Sequence, residues 1–168
     1  MNEILKPNAH IIGFREWVAL PALGLEAIKA KIDTGAKTSS LHAFDIHLEP
    51  VGKKTYVVFK VHPLQKDLSE VVECRSLLID QRTVTDSGGH KEHRYVIRTT
   101  LLIGGVKKRV EFTLSNRESM KYRMLIGRSA LKEFYIDPSQ SYLTGKSVKQ
   151  KRFLKKVRDN KTKKLSVV

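Results

Sequence analysis

Apolar and polar residues alternate with a period of two along most of this chain, and the alternation is cut into short runs by turn residues. Residues 11–20 read as a first strand, stopped by Pro21 and Gly24. Residues 27–32 alternate cleanly, with Ile28, Ala30 and Ile32 on one face and Lys29 and Lys31 on the other. A strand over 41–48 places Phe44, Ile46 and Leu48 together, and Gly52-Lys53-Lys54 turns it into another over 55–61. Residues 71–79 and 94–103 read as strands flanking a polar loop, 80–93, that carries the turn signal Asp86-Ser87-Gly88-Gly89. Gly104-Gly105 makes a tight hairpin, after which Val106, Lys108, Val110, Phe112 and Leu114 recur at period two. Only residues 129–134 look helical, for one or two turns. Pro138 ends the segment that follows, and 141–143 is a final short strand. Many short strands with frequent turns predict an all-β barrel or sandwich.

Composition narrows the picture. A chain of 168 residues with 40% apolar residues can bury one core, which suggests one domain with tails. The reading is a loose arm over 1–8, a domain over 9–145 and a tail over 146–168. The start, MNEILKPNAH, has no continuous apolar stretch of the kind a secretory leader carries, and no run approaches the ~20 apolar residues that span a bilayer. Cys74 is the single cysteine, so no intrachain disulfide forms and a reducing cytoplasmic setting is expected, with Cys74 a small buried hydrophobe. The net charge of +15 is uneven: residues 145–168 hold 10 Lys/Arg against one Asp. Such a tail repels itself and is expected to stay extended until it meets an acidic protein or RNA, or to serve only as a solubilising tail. Phe153, Leu154 and Val157 share one face if the tail becomes a short helix.

The chemistry concentrates in KAKIDTGAKTSSLHA, residues 29–43. Asp33 ends an alternating strand and is followed by Thr34 and Gly35. Gly35 permits a sharp turn beneath the carboxylate, and the Thr34 hydroxyl can both donate and accept. On its own this is equally an ordinary β-turn, in which Asp, Thr and Gly are common. A second stretch, YRMLIGRSALKEF over 122–134, runs three apolar residues into Gly127 and Arg128.

The two motifs in this order resemble the retroviral-type aspartic proteases, the retropepsins. IDTGAKTSSLHA with MLIGRSAL is similar, more narrowly, to a bacterial retropepsin-like family whose members have been labelled ATP-dependent zinc proteases. The resemblance covers residues 10–145. It implies a closed acid-protease β-barrel with one short C-terminal helix. It also implies that Asp33 is the catalytic carboxylate and that Thr34 cross-links two loops at a dimer axis. Gly35 and Ala36 would admit a substrate backbone. Gly127 would lie under the loop, where a side chain would clash, and Arg128 would be structural. Aspartic proteases need two carboxylates sharing one proton, and this chain has one Asp-Thr-Gly. The resemblance therefore implies a homodimer in which each copy gives one Asp33. The flap that closes over substrate would be the hairpin at Ser87, Gly88 and Gly89. Viral enzymes carry acidic residues soon after the DTGA run, whereas Lys37, Thr38 and Ser39 stand here, which leaves Glu133, Asp137 or a backbone carbonyl to receive Arg128. His42 is either a neighbour of the site or a structurally satisfied histidine.

No cofactor is expected. His-Glu-x-x-His is absent, and His90 and His93 lack a third ligand, so no metal site is assigned. There is no Gly-rich Lys-Ser/Thr phosphate loop either. Relatives encoded beside ATP-grasp ligases that add glutamates to a ribosomal protein tail offer a source for the ATP in the label. The expectations are thus a homodimeric aspartic endopeptidase acting on a peptide or protein substrate or, alternatively, a non-hydrolytic accessory of an ATP-grasp glutamate ligase. An RNA-binding module is disfavoured because Trp17 and the Tyr and Phe residues are scattered along the strands.

Overall fold

A computed structural model describes residues 10–116 and 121–167, and the arm expected over 1–8 lies outside them. Among the described residues twelve strands form in chain order: β1 His10–Gly13, β2 Arg15–Leu20, β3 Leu25–Ile32, β4 Ser39–His42, β5 Phe44–Val51, β6 Lys54–Val61, β7 Val72–Leu77, β8 Asp80–Thr85, β9 Lys91–Ile103, β10 Val106–Ser115, β11 Met124–Ile126 and β12 Phe134–Asp137. One helix, α1, spans Val148–Ser166. Six strands close a barrel in the order β10-β4-β11-β3-β2-β9, because β9 also pairs with β10. Closure removes the sheet edges that would otherwise invite pairing with another chain. A three-stranded sheet, β5-β6-β7, packs beside the barrel, and β1 pairs in parallel with β12.

The alternation read along β3 holds: Ile28, Ala30 and Ile32 are buried while Lys31 is exposed and Lys29 half-buried. These join Leu25, Leu41, Phe59, Ile97, Leu101, Phe112 and Met124 in one continuous core. Cys74 is buried as expected. Burial, with the nearby Glu73 charge, pushes its thiol up to about 12, so it stays protonated.

Several boundaries differ from the pattern. The strand expected over 11–20 breaks at Phe14, whose amide bonds to Gln140 O at 2.9 Å, so β1 and β2 join different sheets. The strand expected over 41–48 breaks at Ala43, and Asp45 takes the left-handed conformation as the chain leaves the barrel. The segment over 80–93, a polar loop by its pattern, is paired into the hairpin expected at Ser87–Gly89: β8 pairs with β9 from Asp80↔Val96 to Thr85↔Lys91. Strand β8 lies outside the closed ring with polar residues on both faces, so period two leaves no apolar signature there.

The helix expected over 129–134 is only a 3-10 turn, Arg128–Ala130, and β12 follows it. No strand forms over 141–143, because Leu143 and Thr144 amides bond to the Glu16 carboxylate, both at 3.1 Å. The C-terminal helix lies further along. The tail expected to be extended is α1, 19 residues long, opened by a capping box in which Ser147 and Gln150 satisfy each other's amides. Leu154 and Val157 are buried against the barrel, each such burial contributing about 2 kcal/mol. Lys161 bonds to Asp67 at 2.6 Å, and Lys164 lies 3.3 Å from Glu70. Acidic partners for three of this segment's lysines, Lys149, Lys161 and Lys164, are thus supplied by the chain itself.

Candidate active site

Asp33 sits where β3 ends, and the loop that carries it is held mostly by backbone. The Asp33 amide donates to Ile126 O at 2.8 Å, tying the end of β3 to the end of β11. The Gly35 amide donates to Asp33 Oδ1 at 3.0 Å, which fixes the carboxylate's rotation from beneath. The Arg128 amide donates to Ala36 O at 2.8 Å and the Ser129 amide to Lys37 O at 3.0 Å. The DTGA loop and the Gly-Arg turn are therefore stitched together along both lengths. In the single chain Asp33 is half-buried and Thr34 and Gly35 are exposed.

Gly127 has a steric reason. A Cβ there would lie 2.7 Å from the Thr38 carbonyl carbon and 2.9 Å from Lys37 O, both backbone atoms that cannot swing away. Its amide donates to Ser39 Oγ at 3.0 Å, so the first serine of the Ser39-Ser40 pair braces the second motif. Arg128 resolves the alternatives left by the sequence. Its Nη1 donates to Thr34 O at 3.0 Å, so the acceptor is a backbone carbonyl inside the DTG loop rather than Glu133 or Asp137. A loop that offers a carbonyl needs no acidic residue at 37–39 to hold this arginine.

His42 lies on β4, one strand beyond the loop, with 1% exposure; its amide bonds to Arg123 O at 2.8 Å. Ser87, Gly88 and Gly89 form the exposed tip of the β8–β9 hairpin. Asp86 organises that tip, accepting from the Gly88 and His90 amides, both at 2.9 Å, and its carboxyl is held below the ordinary range mainly by the His90 bond. His90 leans on Asp86 at 3.4 Å, whereas His93 bonds to Gln81 Oε1 at 2.8 Å. The two histidines thus have different partners. Among the described residues no group of three or more His, Cys, Asp or Glu side chains gathers as metal ligands would.

A polar chain that sequence reasoning missed runs from the loop toward this hairpin. Thr113 Oγ1 donates to Ser39 O at 3.5 Å, Arg94 Nη1 to Thr113 Oγ1 at 3.3 Å, and Arg94 Nε to Glu92 Oε2 at 2.9 Å. Ser115 Oγ closes onto Glu92 at 3.3 Å. Arg94 is 8% exposed, so the hairpin base rests on a buried, paired charge. In the sequence Glu92 only looked like part of a polar loop and Arg94 like the first residue of the strand after it.

The chain belongs to the family whose model is described as RimB-like, retropepsin-like aspartic endopeptidase RimB, which matches residues 11–147. It is 44% identical over 142 residues to a protein named probable alpha-L-glutamate ligase from Shewanella pealeana (strain ATCC 700345 / ANG-SQ1), covering 84% of this chain and 31% of that protein. It is 46% identical over 136 residues to a protein of the same name from Parasynechococcus marenigrum (strain WH8102), covering 80% of this chain and 29% of that one. The chain thus spans about a third of the length of the curated relatives it matches. It is also similar to the crystal structure of a protein with unknown function from Legionella pneumophila, with a TM-score of 0.65 and 26% identity over 80% of this chain and 98% of that one. No helix among the described residues is long and apolar enough to cross a membrane.

Proposed function

We propose that this protein is a homodimeric aspartic endopeptidase in which two Asp33 carboxylates, one from each copy, flank a water. One carboxylate takes a proton from the water as it attacks the peptide carbonyl, and the other, protonated, donates to the developing oxyanion. The observation that carries the reading is the Asp33 loop itself. It presents a carboxylate oriented by the Gly35 amide and locked to the Gly127–Arg128 turn. Family membership supports the same chemistry. A chain with one Asp-Thr-Gly needs a second copy to complete the pair, and exposed Thr34 and Gly35 are available for the two-fold contact. Thr34 would link the two loops, Gly35 and Ala36 would admit the substrate backbone, and the Ser87–Gly89 tip would close over it.

The test is peptide cleavage by wild type and Asp33→Asn, with sedimentation to fix the assembly. We expect Asp33→Asn to lose cleavage by roughly 10⁴-fold while keeping the fold, and pepstatin to inhibit. Two carboxylates sharing a proton give a bell-shaped pH profile whose values belong to the pair. Full activity in Asp33→Asn, or an active monomer, overturns the reading. A second reading rests on one observation: a segment similar to this chain makes up about a third of proteins named as glutamate ligases. On that reading the protein is an accessory to such a ligase, and ligase binding would survive Asp33→Asn with no cleavage in either form.

A further inference from the structure

The face formed by β2, β3 and α1 gathers cations and aromatic rings that are far apart in sequence. Trp17 and Tyr142 lie 6.1 Å apart between ring centres. Lys29 Nζ sits 5.3 Å from the Trp17 ring and Lys146 Nζ 5.2 Å from it, while the Arg15 guanidinium sits 5.0 Å from Tyr142. In the β2–β3 register Arg15 stands opposite Lys31, and Trp17 opposite Lys29. Like charges paired across strands repel and are stabilised when an anion covers them. One flank of α1 continues the cationic row with Lys151, Lys155 and Arg158, spaced about one turn, or ~5–6 Å, apart. Asp159 is the one carboxylate lining the groove beside that row. Burial, then the charges of Arg15, Lys146 and Arg158, hold the Lys29 ammonium below its ordinary range.

The rings are held by construction. Glu16, fully buried, accepts from the Gly13, Leu143 and Thr144 amides and from the Thr144 hydroxyl, at 2.6 to 3.1 Å. This anchors residues 142–144, and Tyr142 sits there in the left-handed conformation, φ 56°, which is costly for an aromatic residue. A cleft of about 280 Å³ opens beside the Trp17 indole, lined among others by Thr144, Lys146, Ser147 and Gln150 and by Glu26, whose carboxylate lies 3.5 Å from the Lys149 ammonium.

We propose that this face binds single-stranded RNA, with a base stacked at Trp17 and Tyr142 and the phosphates on Arg15, Lys29, Lys146 and Arg158. An acidic peptide would draw Lys29, Lys146 and Arg15 off the rings they lie against and leave the ring faces bare, whereas an RNA takes those cations on its phosphates and fills the faces with a base. The Thr144 hydroxyl is already given to Glu16, whereas the Ser147 hydroxyl accepts from the Gln150 amide and keeps its proton to donate to a ribose 2′-hydroxyl. Binding at this surface does not depend on the chemistry of the Asp33 carboxylate.

Trp17 is the single tryptophan of the chain, so its emission reports directly on stacking. The experiment titrates Asp33→Asn protein with a 12-nucleotide oligo(U) RNA and follows Trp17 emission and anisotropy. Parallel arms use oligo(dT) and an oligo-aspartate peptide of equal length. We expect saturable quenching by RNA. The triple variant Lys29→Gln/Lys146→Gln/Arg158→Gln, with its melting temperature as the check on folding, should bind at least about tenfold more weakly. It should also lose about 2 from the slope of log affinity against log salt, as for three lost phosphate contacts. Binding without quenching, equal or tighter binding of the peptide or of oligo(dT), or a triple variant with unchanged affinity overturns the proposal.

Discussion

The Asp33 loop and the Trp17–Tyr142 face are built by opposite means. The loop is held chiefly by backbone bonds: Asp33 to Ile126, Arg128 to Ala36 and Ser129 to Lys37. Its demands on side chains are few and local, namely a carboxylate, glycines where backbone crowds, and one arginine. The face is held by side chains converging from β2, β3, the 142–146 segment and α1, around a buried carboxylate. A site stitched by backbone keeps its shape under most substitutions and fails at a few positions. A face assembled from side chains loses affinity by degrees as members are removed.

That contrast can be broken in order of effect. Gly127→Ala should be the most damaging, because the new Cβ meets Thr38 backbone at 2.7 Å. A loss of about 3 kcal/mol by denaturant unfolding is expected, with cleavage falling further than stability explains and Trp17 emission unchanged in the folded protein. Glu16→Gln should do the reverse. Placing an amide donor among the Leu143 and Thr144 donors should cost about 2 kcal/mol, shift Trp17 emission and weaken RNA binding, yet leave the proposed cleavage by the folded protein near the wild-type rate. If Glu16→Gln abolished cleavage as well, the two regions would be one cooperative unit.

Arg128→Ala removes a single bond to Thr34 O and should cost about 1 kcal/mol, with a moderate fall in kcat. Thermal melts beside a KM-against-kcat comparison check it. The smallest effect belongs to the α1 clasp. The Lys161 bond, reinforced by two from Ser69, holds the Asp67 carboxyl well below the ordinary carboxylate range. A folded-state value below the unfolded one adds stability that is fully present above about pH 4 and is lost as pH falls through the folded value. Hydrogen exchange over residues 148–166 should therefore quicken only on strong acidification. Lys161→Ala should reproduce part of that change at neutral pH, at a cost of about 0.5 kcal/mol, as for a partly exposed pair.

Much of the barrel was legible because its strands have one buried and one solvated face, as β3 shows with Ile28, Ala30 and Ile32 against Lys29 and Lys31. Legibility failed where that asymmetry is missing. Strand β8 is polar on both faces and reads as a loop. Residues 129–134 carry helix-forming side chains, yet the chain takes only a 3-10 turn before β12 pairs with β1. The tail reads as self-repelling because the sequence does not show that Asp67, Glu70 and Glu26 lie within reach of its lysines. The Asp33 loop was legible because its requirements are written in two contiguous motifs. The acceptor of Arg128 was not, since a backbone carbonyl belongs to every residue and leaves no mark in the sequence.

By itself, then, the sequence determined the strand-rich class and the family, and it singled out Asp33 as the candidate carboxylate. These depend on local periodicity and on short motifs whose members are neighbours in the chain. The tertiary structure decided what depends on distance. It closed β9 onto β10, gave Arg128 its acceptor, docked α1 on its own acidic partners, and brought Trp17 to Tyr142 around a buried Glu16. Each of these joins residues whose separation in the chain says nothing of their separation in space, and only packing decides which of them meet.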